Sequence, residues 1–173
     1  MTHGKRFKSR WIWLLAAAFA SVVQAEESQL PVDDETALVA YLQARRYTGF
    51  PVAEPEIHSS KNVHGKLIRT FLNKEMADGL KRRLVELPRN SASVKEIYTP
   101  EGKLDGWAVS AKLEDNSARG GAWYWYEVIG MATGRPEITA NSRGGETAGA
   151  RLCVSCHQAG YDYVLTRLPA AAR

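Results

Sequence analysis

Apolar positions recur along this chain with two periods, 3.6 and 2, and that alternation divides it into helices and strands before any chemistry is considered. Leu38, Val39, Tyr41 and Leu42 fall at helical spacing behind Asp33 and Asp34, either of which can cap a helix, and Arg45 and Arg46 suit its last turn. From residue 48 to 61, Pro51, Pro55 and scattered polar residues predict an irregular connection. Residues 66–72 are β-prone, and Asn73 then predicts the cap of a second helix carrying Met76, Leu80, Leu84 and Leu87 and stopped by Pro88. Three more β-prone segments follow at 92–98, 106–113 and 122–129, with turn-type breaks at 100–103 and 116–121. In the last of them Trp123, Tyr124, Trp125 and Tyr126 put aromatic bulk on both faces, as expected of a strand covered on both sides. A glycine-rich stretch, 133–149, leads to a final helical turn. The pattern predicts an α+β fold, mainly antiparallel β-sheet with flanking helices and a C-terminal helix.

The start of the chain has a different character. Lys5, Arg6, Lys8 and Arg10 precede an apolar run from Trp11 to Val23, and Val23-Gln24-Ala25 supplies small residues where a signal peptidase cuts. Residues 1–25 are expected to be a secretory signal peptide and 26–173 one domain, periplasmic and without a permanent membrane anchor, since the apolar run is short for a bilayer span. The signal also accounts for the charge. The 23 Lys and Arg outnumber the 19 Asp and Glu, but four of the basic residues lie in 1–25, which leaves 19 of each sign. The excess that would point to a nucleic-acid partner is therefore absent from the expected mature domain.

The two cysteines of the chain stand in Cys153-Val154-Ser155-Cys156-His157. Cys-x-x-Cys-His is the attachment signature of one c-type haem: two cysteines three apart share one side of a helical turn, where both sulfurs can form thioethers, and the adjacent His157 supplies an imidazole to the iron. Two other chemistries use the same residues, a redox disulfide and a zinc site that borrows His58 or His64 as its fourth ligand. The first normally opens a helix in a βαβ setting, and the second starts from an incomplete tetrahedral set. A sixth iron ligand would have to come from Met76, Met131, His58 or His64, all upstream, because the 16 residues after His157 contain no methionine. An open sixth position is expected, with a six-coordinate electron carrier as the alternative.

Several short motifs together resemble the cytochrome P-460 and cytochrome c′-beta family of mono-haem proteins. They are His64-Gly65, Ile68-Arg69-Thr70 leading into Asn73, Ser93-Val94-Lys95-Glu96, Trp123 to Tyr126, Cys153 to His157, and Asp162-Tyr163-Val164-Leu165-Thr166, in matching order over roughly residues 57–168. The resemblance implies an antiparallel β fold, often dimeric, whose haem is open on its distal side to small nitrogen ligands such as nitric oxide and hydroxylamine. It also implies two kinds of chemistry. Cytochrome P-460 proteins oxidise hydroxylamine with a lysine cross-linked to the haem, and Lys95 occupies the similar position; c′-beta proteins bind nitric oxide under a phenylalanine cap, for which Phe71 and Phe50 are the candidates. The oxidising branch needs a proton acceptor. The resembling pattern puts the distal residue just before the first cysteine, and the nearest acid is Glu146, seven positions before Cys153 and so out of register. Lys95 shares a strand face with Ser93 and Ile97, and Phe71 shares one with Leu67 and Arg69.

Overall fold

The computed structural model describes residues 29–60, 63–65 and 67–170. The expected signal peptide lies outside the described residues. Seven strands form one antiparallel sheet: β1 (Val52–Ala53), β2 (His58–Ser59), β3 (Leu67–Leu72), β4 (Ala92–Tyr98), β5 (Leu104–Lys112), β6 (Trp123–Ile129) and β7 (Glu137–Arg143). Their order is β1-β3-β4-β5-β6-β7, with β2 also paired to β3. Three helices flank the sheet: α1 (Glu35–Gln43), α2 (Lys74–Arg82) and α3 (Ala148–His157). The antiparallel sheet with flanking helices is the architecture the periodicities predict.

Each helix begins on a side chain that accepts an otherwise orphaned amide. Asp34 accepts from Ala37 N at 3.1 Å, Asn73 from Met76 N at 3.0 Å, and Thr147 from Ala150 N at 3.2 Å. Asn73 does more, because the same oxygen accepts from Ala92 N at 2.8 Å and its amide donates to Asn90 O at 2.6 Å, tying α2 to the start of β4.

The sheet separates two cores. On one face Phe71, Val94, Trp107, Val109, Tyr124, Tyr126 and Val128 pack with Leu38, Tyr41 and Leu42 of α1. On the other, Leu72, Trp123, Trp125 and Ala140 pack with Met76 and Ala77 of α2, Ala150 of α3 and Val164. Strand β6 is thus covered on both sides, as its aromatic run predicts.

Several boundaries differ from the expectation. Helix α2 stops at Arg82 rather than at Pro88, because Arg83 turns left-handed (φ 53°) and Leu84 N returns to Gly79 O at 3.1 Å; Leu87 is buried from a loop instead. Helix α1 ends before Arg45, itself left-handed at φ 52°, so that Arg45 reaches Glu96 rather than capping its own helix. The stretch expected to be a glycine-rich connection contains β7, and the connection at 48–61 contains β1 and β2. These strands are short or polar on their exposed side, which erases the alternation that marks a strand.

Candidate functional site

The Cys-x-x-Cys-His motif forms the last turns of α3, and glycines set how closely that helix approaches the sheet. A Cβ added at Gly149 would come within 2.0 Å of Thr139 O on β7, and one added at Gly144, in the turn before α3, within 2.1 Å of Gly120 O in the loop before β6. Close docking carries the motif over β4, β5 and β6. Cys153 is half-buried and Cys156 exposed, and both thiols are free. Burial pushes the Cys153 thiol up to about 11.

His157 is fixed from two sides. Its Nδ1 lies 2.8 Å from Tyr163 O, which can only accept, so the proton belongs on Nδ1 and the lone pair on Nε2 is left for another partner. The indole of Trp125 meets the imidazole edge-on at 4.6 Å between centroids, and the His64 ring stands 6.0 Å away. Burial, with Lys95 and His64 adding to it against the Tyr163 hydrogen bond, pushes the His157 imidazole down to about 4. The ring is therefore neutral at ordinary pH, the form an iron ligand needs.

Beneath it one row of the sheet carries opposite charges: β4 Lys95 is paired with Ala108, which is paired in turn with Glu127 of β6. Lys95, Glu127, His64, Ser93, Ser110, Trp125, Cys153 and His157 line one cleft. His64 Nδ1 contacts Glu127 Oε2 at 2.5 Å, and Ser93 and Ser110 share a hydrogen bond of 2.9 Å. Burial lowers the Lys95 ammonium below the ordinary lysine range, with Glu54 and Glu127 opposing it. For Glu127 burial acts upward, but the His64 hydrogen bond and charge and a bond from Thr139 leave it below the usual carboxylate range.

The structure brings Lys95, Cys153 and His157 together and keeps two other candidates apart. Phe71 is not over this cleft. It lies in the α1-side core, 2% exposed, edge-on to Tyr47 at 5.1 Å, because its register partner on β4 is Val94 and so it points to the opposite face from Lys95. Phe50 belongs to the same core. Glu146 sits exposed in the turn before α3, where its carboxylate accepts from Arg143 N at 3.2 Å, and it does not line the cleft. Of the candidate sixth ligands, Met76 is buried in the α2 core, Met131 packs against the α1-side core, and His58 is an exposed partner of Glu54 at 3.1 Å. His64 alone of the four is in the cleft.

Sequence reasoning passed over Glu127. Its signal was present, a carboxylate two positions after Trp125 and hence on the Trp123–Trp125 face of an aromatic strand.

The donor set fits a c-type haem. Cys153 and Cys156 would carry the thioethers and Nε2 of His157 would face the iron, while the Trp125 indole N–H beside it is buried with no hydrogen-bond partner among the described residues. The cleft itself measures about 20 Å³, room for a water-sized molecule. Among the described residues no group of three or more His, Cys, Asp and Glu side chains is placed to hold a metal ion, as a tetrahedral zinc site would need. A larger groove, about 670 Å³, runs between α2 and residues 159–168 and contains none of the candidate residues. Comparison with protein-family models and with curated proteins finds no match for the chain.

Proposed function

We propose that this chain is a periplasmic mono-haem c-type cytochrome of the kind its motifs resemble, with haem attached at Cys153 and Cys156, His157 as the proximal ligand, and α3 as the haem-binding helix. Small nitrogen species, nitric oxide or hydroxylamine, are its ligands. The observation that carries the reading is the placement of His157: a ring oriented through Nδ1, at the end of the helix that bears both thiols. Bound there, the haem supplies redox chemistry and a ligand site at iron. The protein supplies orientation through Tyr163 O and Trp125, and a polar floor of Lys95, Glu127 and His64.

A second reading, hydroxylamine oxidation, is favoured by Lys95. An amine half-buried in the same cleft as Cys153 and shifted toward its neutral form is a better nucleophile than an exposed lysine, as a bond to the porphyrin requires. Glu127, hydrogen-bonded to His64, is the carboxylate that lines this cleft, where Glu146 is absent.

Intact mass, tryptic mapping and the ferrous spectrum of the purified protein test both readings. One haem in excess of the polypeptide mass, retained in acid-acetone, and a five-coordinate ferrous iron that binds nitric oxide are expected. A haem peptide containing Lys95, with hydroxylamine turnover in the presence of an oxidant that Lys95→Arg abolishes, assigns the enzyme. A low-spin ferrous spectrum converted to five-coordinate by His64→Leu assigns the electron carrier instead. Protein free of covalent haem from attachment-competent cells refutes the proposal.

A further inference from the structure

The chain leaves α3 through a turn that is costly by itself. Tyr161 and Val164 exchange two hydrogen bonds, 3.0 and 2.8 Å, and the two residues between them, Asp162 and Tyr163, both have left-handed backbones, φ 43° and 65°. Turns with two positive φ values favour Asn-Gly; a bulky side chain there costs about 1–2 kcal/mol. Something outside the turn must hold it, because strain of this kind persists only where surrounding contacts over-determine it.

Those contacts converge on the Asp162 carboxylate. It accepts from Lys112 Nζ at 2.7 Å, from Leu87 N at 2.7 Å and from the Ser117 hydroxyl, while Lys112 also donates to Ser117 Oγ at 2.9 Å. The ion pair is almost wholly out of water, with side chains 0% and 2% exposed for Lys112 and Asp162. Three separate pieces of chain, the end of β5, the loop after α2 and the loop before β6, converge on one oxygen pair. Burying such a pair is a poor way to gain stability, since desolvation offsets most of the attraction, so its value lies in fixing a position. The position it fixes is that of the next residue. Tyr163 O is the acceptor for His157 Nδ1, and Gly120 leaves room for the Tyr163 ring, whose Cε1 would stand 3.0 Å from a Cβ there.

We propose that Asp162, pinned by Lys112 and Ser117, is a positioning residue for the proximal imidazole: it holds the Tyr163 carbonyl against Nδ1 and so sets how strongly His157 donates to iron. The inference rests on the haem reading above. An acceptor on the outer nitrogen fixes the ring's orientation and raises its basicity, and losing such a partner typically weakens metal retention by about 10-fold to 100-fold.

The test uses the holoprotein. Asp162→Asn keeps the side-chain volume and tolerates left-handed φ while removing the charge; Ser117→Ala removes one donor and leaves the ion pair. In the ferrous protein, resonance Raman is expected to show the iron–histidine stretch moved to lower frequency in Asp162→Asn and less so in Ser117→Ala, and nitric oxide is expected to displace His157 about 10-fold faster in Asp162→Asn. If Asp162→Asn does not fold, Ser117→Ala decides. Variants that fold and keep the wild-type stretching frequency overturn the inference alone, whereas wild-type protein without covalent haem or without an iron–histidine band refutes the haem reading beneath it.

Discussion

Two polar clusters on opposite faces of the sheet bury charge in opposite ways. On the α1 side Glu96, 0% exposed, accepts from Tyr47 at 2.6 Å, from Arg45 at 2.5 Å and from Tyr98, and Trp107 donates to Tyr47 at 2.9 Å. Every polar group in that cluster has its complement, and burial together with the Glu96 hydrogen bond pushes the Tyr98 phenol up to about 12. On the α3 side Lys95 has no ion-pair partner among the described residues, Trp125 has an unmatched N–H, and His157 keeps a nitrogen in reserve. A shift of one position along β4 moves a side chain from the closed face to the open one. The Glu96 cluster is closed by its own partners; the cluster around Lys95 and His157 keeps an indole N–H and a ring nitrogen that its described neighbours leave unmatched.

Removing the thiols breaks the comparison at its open end. Cys153→Ala with Cys156→Ala is expected to abolish covalent haem entirely, read by intact mass, with far-ultraviolet circular dichroism still showing the sheet. At the closed end, Glu96→Ala leaves two buried phenols without an acceptor and is expected to cost about 3–5 kcal/mol in urea unfolding, with ligand binding unchanged wherever the protein remains folded. Acid sharpens the difference. The His157 pKa is depressed on folding, so the unfolded chain takes up the proton first: haem-free protein should be at full stability above pH 6.5 and lose up to about 3 kcal/mol as pH falls toward 4, a slope that His157→Gln removes. The smallest effect belongs to Lys95→Met, which removes a poorly compensated amine and is expected to change stability in urea unfolding by about 1 kcal/mol or less, while eliminating any Lys95-linked haem peptide from the tryptic map.

Much of this contrast was legible from the chain alone, but only within each strand. Lys95, Ser93 and Ile97 share a face because side chains alternate, and the strand at 92–98 has the bounds its pattern predicts. Whether Phe71 joins them was not legible. That depends on the pairing of β3 with β4, where Phe71 meets Val94 and Thr70 meets Lys95, and register is set by tertiary packing rather than by either strand's own pattern. Glu146 lies away from the cleft for a related reason, since nearness to Cys153 in sequence does not fix where the turn before α3 points. Strand β7 was missed because only Ala140 of its seven residues is buried, leaving no apolar alternation to read.

The tight seating of α3 bears on how the protein matures. Thioether formation needs a reactive sulfur, and in the docked helix burial has raised Cys153 to about 11, so very little of it is thiolate. Gly149 against Thr139 leaves no room for a side chain between the helix and β7, and the seated helix packs Cys153 against the core beside it. On the haem proposal, attachment is therefore favoured before that helix seats, while the Cys153 sulfur is still in water.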